Sequence, residues 1–468
     1  MAMSQAPEAD AAATPAGDTP AGGLAAGDTS AGEMAAGEVA ASVEVTVAVD
    51  ATAVVTAYDL EMTRAWHWAL LDLAGHLPDE LLHQARAWLA AGRRLEVARA
   101  VAFAVLSGQL GVGGGEVPLI REELAATETD PDLLRALDAL PLGERQLSAW
   151  VFLASDPALP GPPVSLPIDL TMTAGSRDGA GSGAGTAPGG RAADDMTAAD
   201  AAFAVADGAD GADAVDRAIV AAVAGEPDVL GVWRSWRLPA WETSWPPPRR
   251  VFVVTLEPLS DAAVAVTARL QEALVAAGEP DPRVEVHPAG VDAPAYQVLA
   301  RVCGALLWAR RSAGEVRVAR VFDDVDPEGG PAFAVDRPRV DDLDQRDDLL
   351  AYLDAGLPVI GTTALMPDLL DPARGEVVPM TMRTDGQWIW TDTVSYYLEE
   401  HGLAPDPDLL RHIERSGLPP EPVDEVAQHR VLAHLLLQAV PVDDEAWAVP
   451  QTAAPARRVP GRGPADPS

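Results

Sequence analysis

Lysine and asparagine are absent from this 468-residue chain, so all 33 of its basic residues are arginine. Without lysine there is no P-loop lysine, no kinase strand lysine and no lysine Schiff base, which argues against P-loop NTPases, protein kinases and pyridoxal enzymes. Without asparagine there is no N-glycosylation sequon and no catalytic Asn. Cysteine occurs once, as Cys303. That rules out an intramolecular disulfide and a cysteine-based zinc site. No run of about 18 apolar residues occurs, so no membrane-spanning helix is expected. The first residues show no basic region followed by an apolar run, so no secretory signal is expected and the predicted compartment is the cytoplasm. An Ala/Gly/Pro/Arg-rich composition, as from GC-rich coding, accounts for the missing residue types.

What is present in excess is negative charge. The chain has 71 Asp and Glu and a formal net charge of −38. Such a field repels nucleic acid and anionic membranes and speeds encounter with a basic partner.

Residues 1–57 are acidic and Ala/Gly-rich. Residues 1–58 hold eight acids and no base, too little apolar surface to offset the entropy of ordering them, so a disordered tail is predicted. Within it, Val43, Val45, Val47 and Val49 alternate as in a strand. Residues 58–155 have helical periodicity. "PDELLHQARAWLAAG" sets Leu81, Leu82, Ala85, Trp88 and Leu89 on one stripe between Pro78 and Gly92. "RRLEVARAVAFAVLSG" is apolar nearly all round, and shorter helices include "GERQLSAWVFLAS". An all-α helical bundle is expected there. Residues 156–211 are predicted as a Gly/Ala/Ser-rich flexible linker. Before its glycines, "VSLPIDLTM" alternates like a short strand that Pro167 confines to a sheet edge.

Residues 212–440 mix both patterns and predict an α/β (or α+β) domain with a mixed sheet. "RRVFVVTLEP", "RVEVH" and "EVRVARVFDD" are strand-like. "SDAAVAVTARLQEALVAAG" and "APAYQVLARVCGALLWAR" are helix-like. An acidic helix, "DDLDQRDDLLAYLDAG", a strand-like "PVIGTTALM" and three C-terminal helices follow. Residues 441–468 are predicted as a second disordered tail.

The segment "RTDGQWIW" at 383–390 carries the strongest local signal. Asp385-Gly386 favours a two-residue type I′ hairpin, which needs positive φ at both positions. Counting outward sets Arg383 opposite Trp388 and Thr381 opposite Trp390. Arg383, Trp388 and Trp390 then share one face, where a guanidinium can stack on an indole. A helix follows, with Tyr397, Leu398 and His401 on one face and Tyr396 off it. Two readings stand: the tryptophans are covered core, or Arg383, Trp388, Trp390 and Tyr396 form a binding face. The string T-D-G-x-W-x-W followed by a Tyr-Tyr helix, residues 383–402, resembles a hairpin-helix module of uncharacterised bacterial proteins. It spans about 30 residues with its flanks, and the resemblance implies no activity.

A second aromatic cluster, "GVWRSWRLPAWETSW", brings Trp233, Trp236, Trp241 and Trp245 together. It predicts either an aromatic core between strands or a partner-binding platform.

"FDDVDPEGG" sets Asp324, Asp326, Glu328 and Gly329 at calcium-loop positions, but Val335 stands where a bidentate Glu is needed. The eight histidines show no metal spacing. Cys303 lies on an apolar helix stripe, and no G-x-S-x-G elbow occurs. With no catalytic set, no metal site and no cofactor motif, the expected function is non-enzymatic: protein binding or regulation. Its sharper form is an acidic neutralising partner of a basic protein, such as an immunity protein for a toxin. The alternatives are a metal-assisted hydrolase using Asp323, Asp324, Asp326 and Glu328, and a scaffold built on the helices.

Overall fold

The computed structural model describes residues 51–108, 115–125, 131–140, 150–158, 164–171, 212–240, 246–326 and 330–437. Residues 1–50 of the expected N-terminal tail, which hold the Val43–Val49 stretch, the expected C-terminal tail, most of the expected linker, and Trp241, Trp245 and Glu328 lie outside these residues; residues 51–57, expected as tail, are helical instead.

Five helices open the described chain: α1 (Ala51–Asp72), α2 (Asp79–Ala90), α3 (Arg94–Gly108), α4 (Glu116–Ala125) and α5 (Pro131–Asp138). Asp79 and Glu80 place negative charge in the first turn of α2, where the helix dipole favours it. Gly92, with φ of +71°, lets the chain leave that helix. Beyond α5 the expected helix over 143–155 is not formed in its described part: Trp150–Leu153 is a strand, β1. Trp-Val-Phe-Leu suits a pleated surface, and β1 pairs antiparallel with an edge that would otherwise leave main-chain groups unpaired.

The next elements are β2 (Ile168–Asp169), α6 (Ala214–Val223), β3 (Val229–Pro239), β4 (Arg249–Leu256), α7 (Ala263–Ala276), β5 (Arg283–Pro288), α8 (Ala295–Val302) and β6 (Ala305–Ala309). The sheet order is β2-β6-β3-β4-β5, with β1 joined to the far end of β3. β4 and β5 run parallel, as do β2 and β6, while β3 is antiparallel to both of its neighbours β4 and β6. β2 does lie at a sheet edge, where Pro167 beside it breaks no interior ladder. The long helix expected over 293–310 is cut in two. Gly304 sits so close to main chain that a Cβ would lie 2.7 Å from the Ala300 carbonyl and 2.9 Å from that of Arg234. The chain turns there, and Leu306 enters β6 instead of a helix stripe.

Period-two alternation divides this sheet between two cores. Val232, Phe252, Val254, Val284 and Val286 face α6 and α7. Trp233, Val251, Val253 and Leu306 face the opposite way and share one cluster with Trp66, Leu82, Val97 and Ile120 of the first four helices. The N-terminal helices therefore do not close a bundle core of their own. They form a layer on the sheet, because their apolar stripes and the tryptophan face of β3 bury one another.

The remaining elements are β7 (Arg317–Val318), β8 (Asp324–Asp326), β9 (Gly330–Ala332), α9 (Leu343–Ala355), β10 (Leu357–Ile360), β11 (Leu365–Pro367), β12 (Glu376–Pro379), β13 (Met382–Thr384), β14 (Trp388–Thr391), α10 (Asp392–His401), α11 (Pro407–Ser416) and α12 (Glu425–Leu437). A second sheet, β10-β13-β14-β7, packs its tryptophans against α9, α10 and α11. α12 returns to the first sheet. Among the described residues, no helix is long and apolar enough to cross a membrane.

Candidate functional site

The segment 383–390 is a hairpin, but its register is two residues away from the expected one. Thr384 pairs with Ile389, Arg383 with Trp390 and Met382 with Thr391. A two-residue I′ turn fails because only Gly386 takes a positive φ there, +93°. The Asp385 side chain closes a longer loop instead: Oδ1 accepts from Gln387 N at 2.9 Å and Trp388 N at 2.7 Å. Thr384 Oγ1 donates to the Trp388 carbonyl at 2.6 Å. A shift of two preserves side-chain parity, so Arg383, Trp388 and Trp390 still share a face.

That face is closed. Trp388 and Trp390 are buried. Trp390 lies under α9, its Nε1 donating to the Leu353 carbonyl at 3.2 Å. Trp388 lies beside His412 of α11, and it is Arg317, not Arg383, whose guanidinium sits over its ring, at 5.9 Å. Arg383 turns away from the indoles to join two helix ends. Its Nε binds Asp392 Oδ1 at 2.6 Å at the start of α10, and its Nη1 donates to the carbonyls of Asp354 and Gly356 at the end of α9. These are the helix ends whose dipoles favour an anion and a cation, respectively. The open aromatic face expected from the sequence is thus replaced by core.

Two aspartates organise this half of the protein. Asp385 Oδ2 accepts from the Tyr352 hydroxyl at 2.8 Å and from His412 Nε2 at 2.6 Å. Asp368 takes two main-chain N–H groups on Oδ1, from Leu370 and Asp371, and the Tyr396 hydroxyl and His401 Nε2 on Oδ2. Burial opposes the charge on Asp368, yet His401 and the N–H and hydroxyl donors hold its carboxyl down to about 2. Tyr396 is half-buried, with Arg374 Nη1 donating to its hydroxyl at 3.1 Å. The sequence singled out Asp385 only as a turn residue and Asp368 not at all, since nothing local shows that distant Tyr and His residues converge on them.

In the first sheet Trp233 is fully buried and meets His429 edge-on at 6.0 Å between ring centres. Trp236 is half-buried under Arg250, whose guanidinium lies 4.8 Å from its ring. Neither forms an open platform. Ion pairs join the sheet to α2 in both directions. Asp79 of α2 receives Arg237 and Arg283 of the sheet, each at 2.7 Å, and Arg86 of α2 pairs with Glu285 of β5 at 2.7 Å. Burial alone would raise the Asp79 carboxyl, but the two guanidiniums hold it below its ordinary value.

The described carboxylates of the acidic loop are dispersed. Asp323 Oδ2 accepts from Ala334 N and Arg337 Nη1, and Asp324 and Asp326 lie on the β8–β9 ribbon. Among the described residues, no three metal-capable side chains converge.

The surface of α9 is different in kind. Asp341, at its approach, and Asp344, Asp347, Asp348 and Asp354 are all exposed, and among the described residues none pairs with an arginine. Leu343, 62% exposed, lies beside them. Asp344 lies in the first turn, where the helix dipole favours an acid, but Asp has poor helix propensity, Asp344 and Asp348 repel at i, i+4, and Asp354 lies near the C-terminal end, where the dipole opposes an acid. The later members of the cluster therefore do not stabilise their own helix.

No protein-family model, no curated protein and no solved structure matches this chain.

Proposed function

We propose that the protein is a non-enzymatic binding protein whose acidic α9 face docks a basic partner; neutralisation of a basic toxin is the sharpest form of this reading. The observation that carries it is the run of exposed carboxylates on α9, unpaired among the described residues. The net charge of −38 supports it by steering cations toward the whole molecule. The exposed Leu343 offers an apolar contact beside the charged rim.

The test is capture from native lysate by the full chain beside its Asp344→Asn/Asp347→Asn/Asp348→Asn variant, over a salt series. These positions are exposed, so the variant folds. A basic protein retained at low salt, released as salt rises and lost in the variant is the expected result. Equal capture by both chains, or capture indifferent to salt, overturns the reading.

A further inference from the structure

Helix α12 holds parts of the structure that are distant in sequence. Glu425 Oε1 accepts from Gly290 N at 3.0 Å, in the loop after β5. Val426 enters the core shared by the first sheet and the N-terminal helices. Ala427 lies at the tip of the β13–β14 hairpin, where a Cβ on Gly386 would come within 3.1 Å of it. His429 Nε2 donates to the Ile168 carbonyl of β2 at 3.0 Å. Arg430 binds Asp169 at 3.2 Å and the Arg311 carbonyl at 3.0 Å.

We propose that α12 is an acid-released strap: protonation of His429 detaches this helix from the first sheet while the sheet itself stays folded. The charges around His429 give the reason. Facing it are Asp169 from β2 and Arg301 from α8; Arg430 lies beside it on α12 itself, and the Trp233 ring packs on it from β3. Asp169 is the carboxylate among these groups, and Arg430 already occupies it. Glu425 accepts from Gly290 and its charge acts on Arg301, and Gln428 is neutral. A proton on His429 thus adds a third cation to two arginines that already occupy the two nearby carboxylates, in a buried setting where such repulsion is little screened. Burial, then the two arginines, depress His429 to about 4, against the support of Ile168 and Asp169.

Release is local because the apolar hold on α12 is slight. Its buried apolar side chains are Val426, Val431 and Ala433, all short, with Leu432, Leu435 and Leu436 half-buried, and its polar holds on Gly290 and Asp169 are exchanged for water on release. The chain before it, Glu414–Pro422, is almost wholly exposed and offers a hinge. α1 also carries a buried histidine, His67, but it is anchored by Met62, Trp66, Leu70 and Leu71.

Hydrogen exchange of the full chain at pH 7 and in mild acid, corrected for intrinsic rates, tests this. Amides of α12 should lose protection by up to about tenfold per pH unit below the ordinary histidine range, while β4 stays better protected than α12 at each pH and declines only with global stability. In His429→Gln, whose amide still donates to Ile168 but does not titrate, the α12 loss should vanish. Equal protection of α12 and β4 at each pH in the parent chain, or an unchanged α12 loss in the variant, overturns the proposal. If the variant does not fold, the ring resonances of His429 in the parent chain decide. Titration in step with α12 release supports the strap; titration with α12 still protected refutes it.

Discussion

His67 of α1 and His429 of α12 make matching contacts to the strands at the two ends of the first sheet's β2-β6-β3-β4-β5 order. His67 Nε2 donates to the Val286 carbonyl of β5 at 2.7 Å, and His429 Nε2 to the Ile168 carbonyl of β2 at 3.0 Å. Burial, opposed by these bonds, lowers both to about 4. A folded-state value below the unfolded one means that the unfolded chain takes up the proton first. Stability is therefore full above about pH 6.5 and falls as pH drops toward 4, by about 1.4 kcal/mol per pH unit for each histidine. Urea midpoints at pH 7, 6 and 5 should decline in that order. Asp213, which the Arg250 ion pair holds at about 2 against burial, and Asp368 add a further loss only below their ordinary value of 3.8.

Asp385 and Asp368 have the same donor set, two main-chain N–H groups, one tyrosine hydroxyl and one histidine. Asp385→Ala strands four donors at once and should cost at least about 3 kcal/mol. Asp385→Asn keeps the Oδ1 contacts but sets an amide against Tyr352 and His412, at about 1–3 kcal/mol. Chemical denaturation ranks the two, and equal effects would show that the Tyr352 and His412 contacts alone matter.

Asp79 joins Arg237 and Arg283 across the boundary between α2 and the sheet. Asp79→Ala leaves two buried guanidiniums facing each other and should lower stability by about 3–5 kcal/mol. A double substitution that also replaces Arg283 with Met should recover part of that loss. If the single variant is as stable as the parent, the pair is solvated in a way its burial does not suggest.

Gly231 admits no side chain: a Cβ would lie 2.6 Å from the Trp233 ring and 2.7 Å from Val426 of α12. Gly231→Ala should destabilise by about 1–3 kcal/mol through overpacking. Val426→Ala in the same chain should relieve part of it, a coupling that a double-mutant cycle measures.

The sequence by itself determined much of the local structure. Apolar runs located β4 and β5, which are buried on both faces, and helical periods located α2, α7 and α9, each of which buries one face. Parity within 383–390 was legible too, since side-chain alternation survives a shift of two. Missing residue types excluded whole chemistries, because no fold can supply a lysine amine that the chain lacks. The tertiary structure decided the rest. Trp150–Leu153 became a strand because β3 left it a free edge, and the helix before Gly304 stopped because neighbouring backbone filled the space of a Cβ. The tryptophans of β14 and β3 went inward because α9, α11 and the N-terminal helices needed apolar surface to lie on. Burial of an aromatic face depends on what packs against it, and here those partners lie tens to hundreds of residues away in the chain.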